Sequence, residues 1–234
     1  MTPANGDLHR RENLSVLARA ERHTLIWIAG RLPHAINSDH LSALGLAAMA
    51  FAAFSFAAFR VSAWAALGVV LSLIANWFGD SLDGTVARVR NQQRPRYGFY
   101  VDHIIDVAGT ALLMAGIAAS GLMNPVIALG VLVMFLSVSA ESYLATHAAG
   151  VFRMSFLGFG PTELRIVIAA GAIKAALSPF VDLGSFAHIR IFDAGGVVAI
   201  AGLGTAFLVA SIRNTRALYL AEPLPARSSE SRAA

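Results

Sequence analysis

The stretch GDSLDGTVARVRNQQRPRYGFYVDHIID, Gly79 to Asp106, decides the reading of this 234-residue chain. It holds four aspartates, Asp80, Asp83, Asp102 and Asp106, and joins two segments apolar enough to cross a bilayer. Carboxylates at a membrane edge are costly to desolvate and need compensation, from bound divalent cations or from each other's protons. The spacing favours cations. On helices, Asp80 and Asp83 at i,i+3 share one face and Asp102 and Asp106 at i,i+4 share another, so four carboxylates can converge.

Around this run the chain is apolar: hydrophobic residues fill 56% of the positions, charged residues 14%, and the mean hydropathy is +0.63. That composition predicts an integral membrane protein. There is no cysteine, which excludes disulfides, a thiolate metal site and a cysteine nucleophile. Apolar runs at about 41–59, 62–82, 99–121, 125–147, 163–180 and 192–212 each approach the roughly 20 residues that a spanning helix needs. An all-α protein with six transmembrane helices is expected.

The basic residues segregate. Arg10, Arg11, Arg19, Arg22 and Arg31 precede the first span, Arg88, Arg90, Arg94 and Arg96 separate the second from the third, and Arg153 and Arg165 flank the loop before the fifth. Arg213, Arg216, Arg227 and Arg232 follow the sixth span, while Arg60, Arg190 and Lys174 fall toward the other side. By the positive-inside rule both termini and the aspartate run face the cytoplasm of a cell (inner) membrane. An odd number of spans would break the segregation.

The expected organisation has three parts: residues 1–39, cytoplasmic; residues 40–213, one six-helix domain; and residues 214–234, a disordered cytoplasmic tail with two prolines and little apolar matter. Residues 12–31 are too charged to span but suit an interfacial amphipathic helix, ended by Pro33. Asn37, Ser38 or Asp39 can cap the first span. The stretch GVFRMSFLGFGPTE, Gly150–Glu163, reads as a loop. Thr162 is expected as the N-cap of the fifth span, with Glu163 in its first turn, where the helix dipole favours an anion.

Hard oxygen ligands at one site suit Mg²⁺ or Mn²⁺, and two such ions can bind a pyrophosphate and stabilise attacking and leaving oxygens. Gly84 leaves room for close approach of a nucleotide, Ala87 keeps the same face small, Arg88 can pair with a phosphate, and Gly98 is expected to let the chain turn tightly onto the third helix. Asn76, one turn before Asp80, can reach the nucleotide or a neighbouring helix. Arg153, Arg165 and Glu163 lie together in or beside the loop before the fifth span. Glu141, inside the fourth span, needs a partner.

The order Asp80, Asp83, Gly84, Ala87, Arg88, Gly98, Asp102, Asp106 resembles the signature of the CDP-alcohol phosphatidyltransferase family, with all eight defining residues present. The resemblance implies that Asp80, Asp83, Asp102 and Asp106 hold two metal ions and that Gly84, Ala87, Arg88 and Gly98, with Asp80 and Asp83, shape the CDP site. It implies as well that Asp106 acts as general base on the acceptor hydroxyl. The implied partners are CDP-diacylglycerol or another CDP-alcohol, a small alcohol acceptor and membrane lipids. No nucleic-acid partner is expected, and homodimers are common in that family.

The expected reaction moves the phosphatidyl group of CDP-diacylglycerol to a small polar alcohol, with release of CMP. In such a reaction Arg153, Arg165 and Glu163 are expected where an anionic acceptor would approach, and the two arginines favour a phosphorylated polyol. An alternative is a choline- or ethanolamine-type phosphotransferase, in which the CDP carries the headgroup and diacylglycerol accepts it; the opening INSDHLSALGL loosely resembles that branch. Membrane prenyltransferases fit less well, because both aspartate pairs here sit on consecutive helices. A transporter using intramembrane carboxylates as cation sites is the alternative from another class, against which stands the lack of a central acid in any span.

Overall fold

A computed structural model describes residues 18–149, 160–182, 188–222 and 224. The described chain is almost wholly helical: α1 (Ala18–Ala29), α2 (Ser38–Ala57) with a 3₁₀ turn at Ala58–Arg60, α3 (Ala65–Val89), α4 (Pro95–Ser120), α5 (Pro125–Ala149), α6 (Pro161–Leu177) and α7 (Ile191–Ala221). Between α6 and α7 lies a hairpin that the sequence did not suggest, β1 (Phe180–Asp182) antiparallel to β2 (His188–Arg190), with Val181 opposite Ile189.

Local chemistry sets the helix ends. Asn37 caps α2: its Oδ1 accepts from His40 N at 3.0 Å, and its own N–H donates to His40 Nδ1 at 3.3 Å, so two otherwise unmet groups satisfy each other. Pro95 opens α4, where its fixed φ suits the first turn and its missing N–H is not needed. The reversal between α3 and α4 falls on Asn91, at φ +53°, a left-handed conformation that asparagine tolerates better than most residues. Gly98 is therefore not the turning point expected of it. It lies inside the first turns of α4, where its N–H donates to Arg94 O at 2.7 Å.

Among the described residues five helices are long and apolar enough to cross a membrane: α2 with its 3₁₀ turn, α3, α4, α5 and α7. The segment expected as the fifth span forms α6, which has 17 residues, the fewest of the six long helices, and is not among these five. Exposed Phe51, Phe54, Leu71, Ile74, Val126, Leu129, Val198 and Val209 give the bundle an apolar outer surface suited to lipid. The helices alternate in direction from α2 onward, so Asp80, Asp83 and the starts of α2, α4 and α6 share one end.

α2 lies at the centre, antiparallel to α3 and parallel to α4. The α2–α3 crossing is made by glycines: a Cβ on Gly79 would stand 2.6 Å from Leu41 O and 2.7 Å from Gly45 N. The α2–α4 crossing is equally close, because a Cβ on Gly116 would collide with the backbone of Ala53. Small residues let helix backbones approach where lipid supplies no hydrophobic drive for association. The main core, with Phe56, Val69, Leu73, Leu113, Ile117 and Phe192, packs toward the opposite end. A second cluster of Leu25, Ala29, Leu41, Leu82 and Val86 joins α1 to α2 and α3 at the aspartate end.

Residues 12–17 of the expected N-terminal helix lie outside the described residues, and α1 covers the rest up to Ala29. Arg90 ties the following linker down: its guanidinium donates to Ile36 O at 2.6 Å, Leu32 O at 2.8 Å and Pro33 O at 3.1 Å.

Candidate active site

The Gly45–Gly79 crossing brings the start of α2 against the last third of α3. Ser42 Oγ therefore donates to Asp83 Oδ2 at 2.6 Å, and the Gly84 N–H donates to the other Asp83 oxygen. Asp83 also lies within electrostatic reach of Asp80 and of Asp102 on α4, so three of the four motif carboxylates share one electrostatic neighbourhood. Asp106 lies one helical turn beyond Asp102, and both act electrostatically on the Tyr143 hydroxyl of α5. The His103 and Tyr143 rings meet edge to face, centroids 5.0 Å apart.

Arg165 of α6 completes this end. Its Nε donates to Asn76 Oδ1 at 2.8 Å and its Nη2 donates to Asp80 Oδ2, while Asn76 Nδ2 donates to Gly45 O at 3.0 Å. One chain of bonds thus runs from α2 through α3 to α6. The Arg165 side chain is 15% exposed and that of Asp80 27%, so the pair is partly withdrawn from solvent. Such a pair is costly to break from one side, because the survivor is left as a buried, uncompensated charge.

The remaining predicted residues fall as follows. Gly84 and Ala87 lie on α3 one turn apart, and a Cβ on Gly84 would meet the Arg88 guanidinium at 3.2 Å, so that arginine lies folded over the glycine. Arg88 Nη2 donates to Thr85 Oγ1 at 3.1 Å. Gly98 is exposed, with nothing near the place of its missing side chain. Arg153 lies outside the described residues. Glu163 Oε2 accepts from Gly160 N at 3.0 Å, which makes Gly160 the N-cap of α6 rather than Thr162. Thr162 is drawn elsewhere: its hydroxyl donates to Glu21 of α1 at 3.0 Å. Glu141 finds a partner in Asn214 of α7, whose Nδ2 donates to Oε1 at 2.6 Å.

The donor chemistry fits a hard divalent cation, since the motif offers four carboxylates and no softer ligand. The side chains themselves are turned onto protein partners, Asp80 onto Arg165 and Asp83 onto Ser42. Among the described residues no three acidic or histidine side chains stand close enough together to hold a metal ion. Close convergence of all four aspartates is thus an expectation that the structure does not reproduce.

Two residues beside the site, Ser42 and Tyr143, were not foreseen from the sequence, nor was Glu21, which bonds to the helices that carry it. Ser42 carried a signal, being a polar residue one turn inside an apolar span and next to its cap. Tyr143 and Glu21 carried none, since a tyrosine near a membrane edge and a glutamate on a charged helix are ordinary.

A family model described as CDP-alcohol phosphatidyltransferase matches residues 38–211, about three quarters of the chain. The match begins at the first residue of α2, ends within α7, and takes in every motif residue. No curated protein matches the chain.

Proposed function

Because the chain belongs to the CDP-alcohol phosphatidyltransferase family, we propose that it moves the phosphatidyl group of CDP-diacylglycerol to the hydroxyl of a small, phosphorylated alcohol and releases CMP. One observation carries this reading: all eight motif residues fall on α3 and α4, at the end where Arg165 and Asn76 bring α6 against Asp80. Family and fold by themselves make the chain an integral membrane protein of a family that transfers phosphate-linked groups from CDP-alcohols and that generally depends on divalent metal.

In the proposed site Asp80, Asp83, Asp102 and Asp106 would hold two Mg²⁺ or Mn²⁺ ions, which supply neutralisation of the pyrophosphate charge. Gly84 and Ala87 give the cytidine a surface without bulk. Arg88, now folded over Gly84, is within a rotamer change of a phosphate bound there. Ser42 fixes the orientation of Asp83, so that its carboxylate need not be ordered again when substrate enters. Asp106 takes the proton of the acceptor hydroxyl as that oxygen attacks the phosphorus bearing the diacylglycerol, and the bond to the CMP oxygen breaks. Arg165, at the start of α6, binds the acceptor's phosphate through the guanidinium donors that Asn76 and Asp80 leave over. Arg153 and Glu163 belong to the same acceptor side. The site faces the cytoplasm of the inner membrane, six helices span, α1 lies in the headgroup layer, and residues 40–213 form the catalytic domain with flanking segments 1–39 and 214–234.

The test is release of CMP from CDP-diacylglycerol by purified protein, with glycerol 3-phosphate, inositol phosphate, serine or inositol as acceptor and mass spectrometry of the lipid product. Turnover with a phosphorylated polyol supports the reading. Product formed only with serine would overturn the acceptor assignment. Product formed only from a CDP-linked headgroup and diacylglycerol would reverse the direction of transfer. No CMP with any acceptor, together with metal flux into vesicles, would replace the enzyme by a transporter.

A further inference from the structure

Three donors from two helices converge on one carboxylate oxygen of α1. Trp77 Nε1 donates to Glu21 Oε1 at 2.7 Å, Thr162 Oγ1 at 3.0 Å and Ser81 Oγ at 3.2 Å. Trp77 and Ser81 bracket Asp80 on α3, one turn before it and one residue after it. Thr162 stands three residues before Arg165 on α6. Glu21 therefore holds both backbones whose side chains form the Asp80–Arg165 pair. Packing seats α1 firmly enough to serve as such a tie. Leu25 and Ala29, on the same face, are buried against Leu41, Leu82 and Val86, while Ile26 and Trp27 point outward, Trp27 under the guanidinium of Arg31. Arg90, the C-cap of α3, pins the linker that follows α1.

We propose that Glu21 is a positioning residue for the transfer reaction, setting the distance between the CDP side of the site on α3 and the acceptor side on α6. A helix that served only to anchor the chain in headgroups would have no use for a glutamate bonded to two other helices. Its charge would sit better in water. All three bonds go to a single acceptor oxygen, so glutamine can replace glutamate while alanine cannot. Misplacing reacting groups by about 1 Å costs on the order of 100-fold in rate, so loss of this tie reaches catalysis without any contact to substrate. The inference rests on the transferase reading of α3 and α6.

The test compares wild-type protein, Glu21→Gln and Glu21→Ala in detergent by two readouts: steady-state CMP release, and hydrogen exchange of the first turn of α6. Glu21→Ala is expected to lower kcat by about 10-fold or more with the KM for CDP-diacylglycerol nearly unchanged, and to speed exchange at residues 162–165. Glu21→Gln is expected to retain wild-type behaviour in both. Trp77→Phe, which removes one donor and keeps the carboxylate, is expected to fall between, and it serves if Glu21→Ala does not fold. The proposal is overturned if Glu21→Ala matches the wild type, if Glu21→Gln is as impaired as Glu21→Ala, or if the loss equals the fall in folded protein. Should the wild-type protein itself release no CMP, the transferase reading fails, and the exchange of α6 still decides whether Glu21 holds it.

Discussion

At the scale of single residues, the proposed role of Asp106 as general base can be tested by separating binding from chemistry. Asp106→Asn keeps the size and much of the hydrogen bonding of the side chain but cannot take a proton, so CDP-lipid binding is expected to survive while turnover falls by roughly 100-fold or more. Equilibrium binding and CMP release on one preparation check this, and near-wild-type turnover would remove the base assignment. Ser42→Ala deletes the bond to Asp83 Oδ2. A net hydrogen-bond contribution of about 0.5–1.5 kcal/mol translates to a loss of roughly 2- to 10-fold in kcat/KM. Arg165→Lys leaves a charge that cannot reach Asn76 and Asp80 together, since an ammonium lacks the guanidinium fork; the KM for the acceptor is expected to rise about 10-fold with that for CDP-lipid unmoved. The aspartates were legible in the sequence because the cost of burying them demands a reason. Their partners were not: Arg165 lies 85 positions from Asp80 and Ser42 lies 41 from Asp83, and no local pattern links them.

α2 carries no motif residue, yet at the scale of elements it is the helix against which α3 and α4 are both set. Gly79→Ala would drive a methyl into the backbone at Leu41 and Gly45, and neither helix can yield as a flexible side chain would. Overpacking of this kind costs about 1–3 kcal/mol, so thermal unfolding of the detergent-purified protein is expected at lower temperature, with activity lost at temperatures where the fold persists. A wild-type melting curve for Gly79→Ala would show that the crossing can open. The existence of each helix was readable from hydropathy, because about 20 apolar residues have few other uses. Turn chemistry was harder. Gly98 looked like the hinge, whereas Pro95 fixes the start of α4 and Asn91 absorbs the left-handed backbone. Likewise Thr162 looked like a cap until α1, remote in sequence, supplied its hydroxyl with a better acceptor.

For the whole molecule, alternating helix directions gather Arg22, Arg31, Arg88, Arg90, Arg94, Arg96, Arg213 and Arg216 at the aspartate end and leave Arg60, Lys174 and Arg190 at the other. The chain lacks cysteine, so single cysteines report sidedness without background. In intact cells Ser62→Cys is expected to react with an impermeant maleimide and Gln92→Cys to react only after lysis; the reverse would invert the topology. The two helix lengths at the extremes have a mechanical meaning. α6, of 17 residues, is about 25 Å long and α7, of 31 residues, about 46 Å, beside a hydrocarbon layer of roughly 30 Å. No single bilayer thickness suits both. α7 can lean or stand proud; α6 is not among the five helices long and apolar enough to cross, and on the proposed six-span reading, with Gly160 and Ser178 extended at its ends, the membrane would thin around it. Such thinning would draw the headgroup layer down toward Arg165 and Asp80, so that lipid phosphates would meet the proposed site without being lifted out of their leaflet. Activity should accordingly be higher in vesicles of short-chain than of long-chain lipid, the bilayer itself acting as part of the entrance.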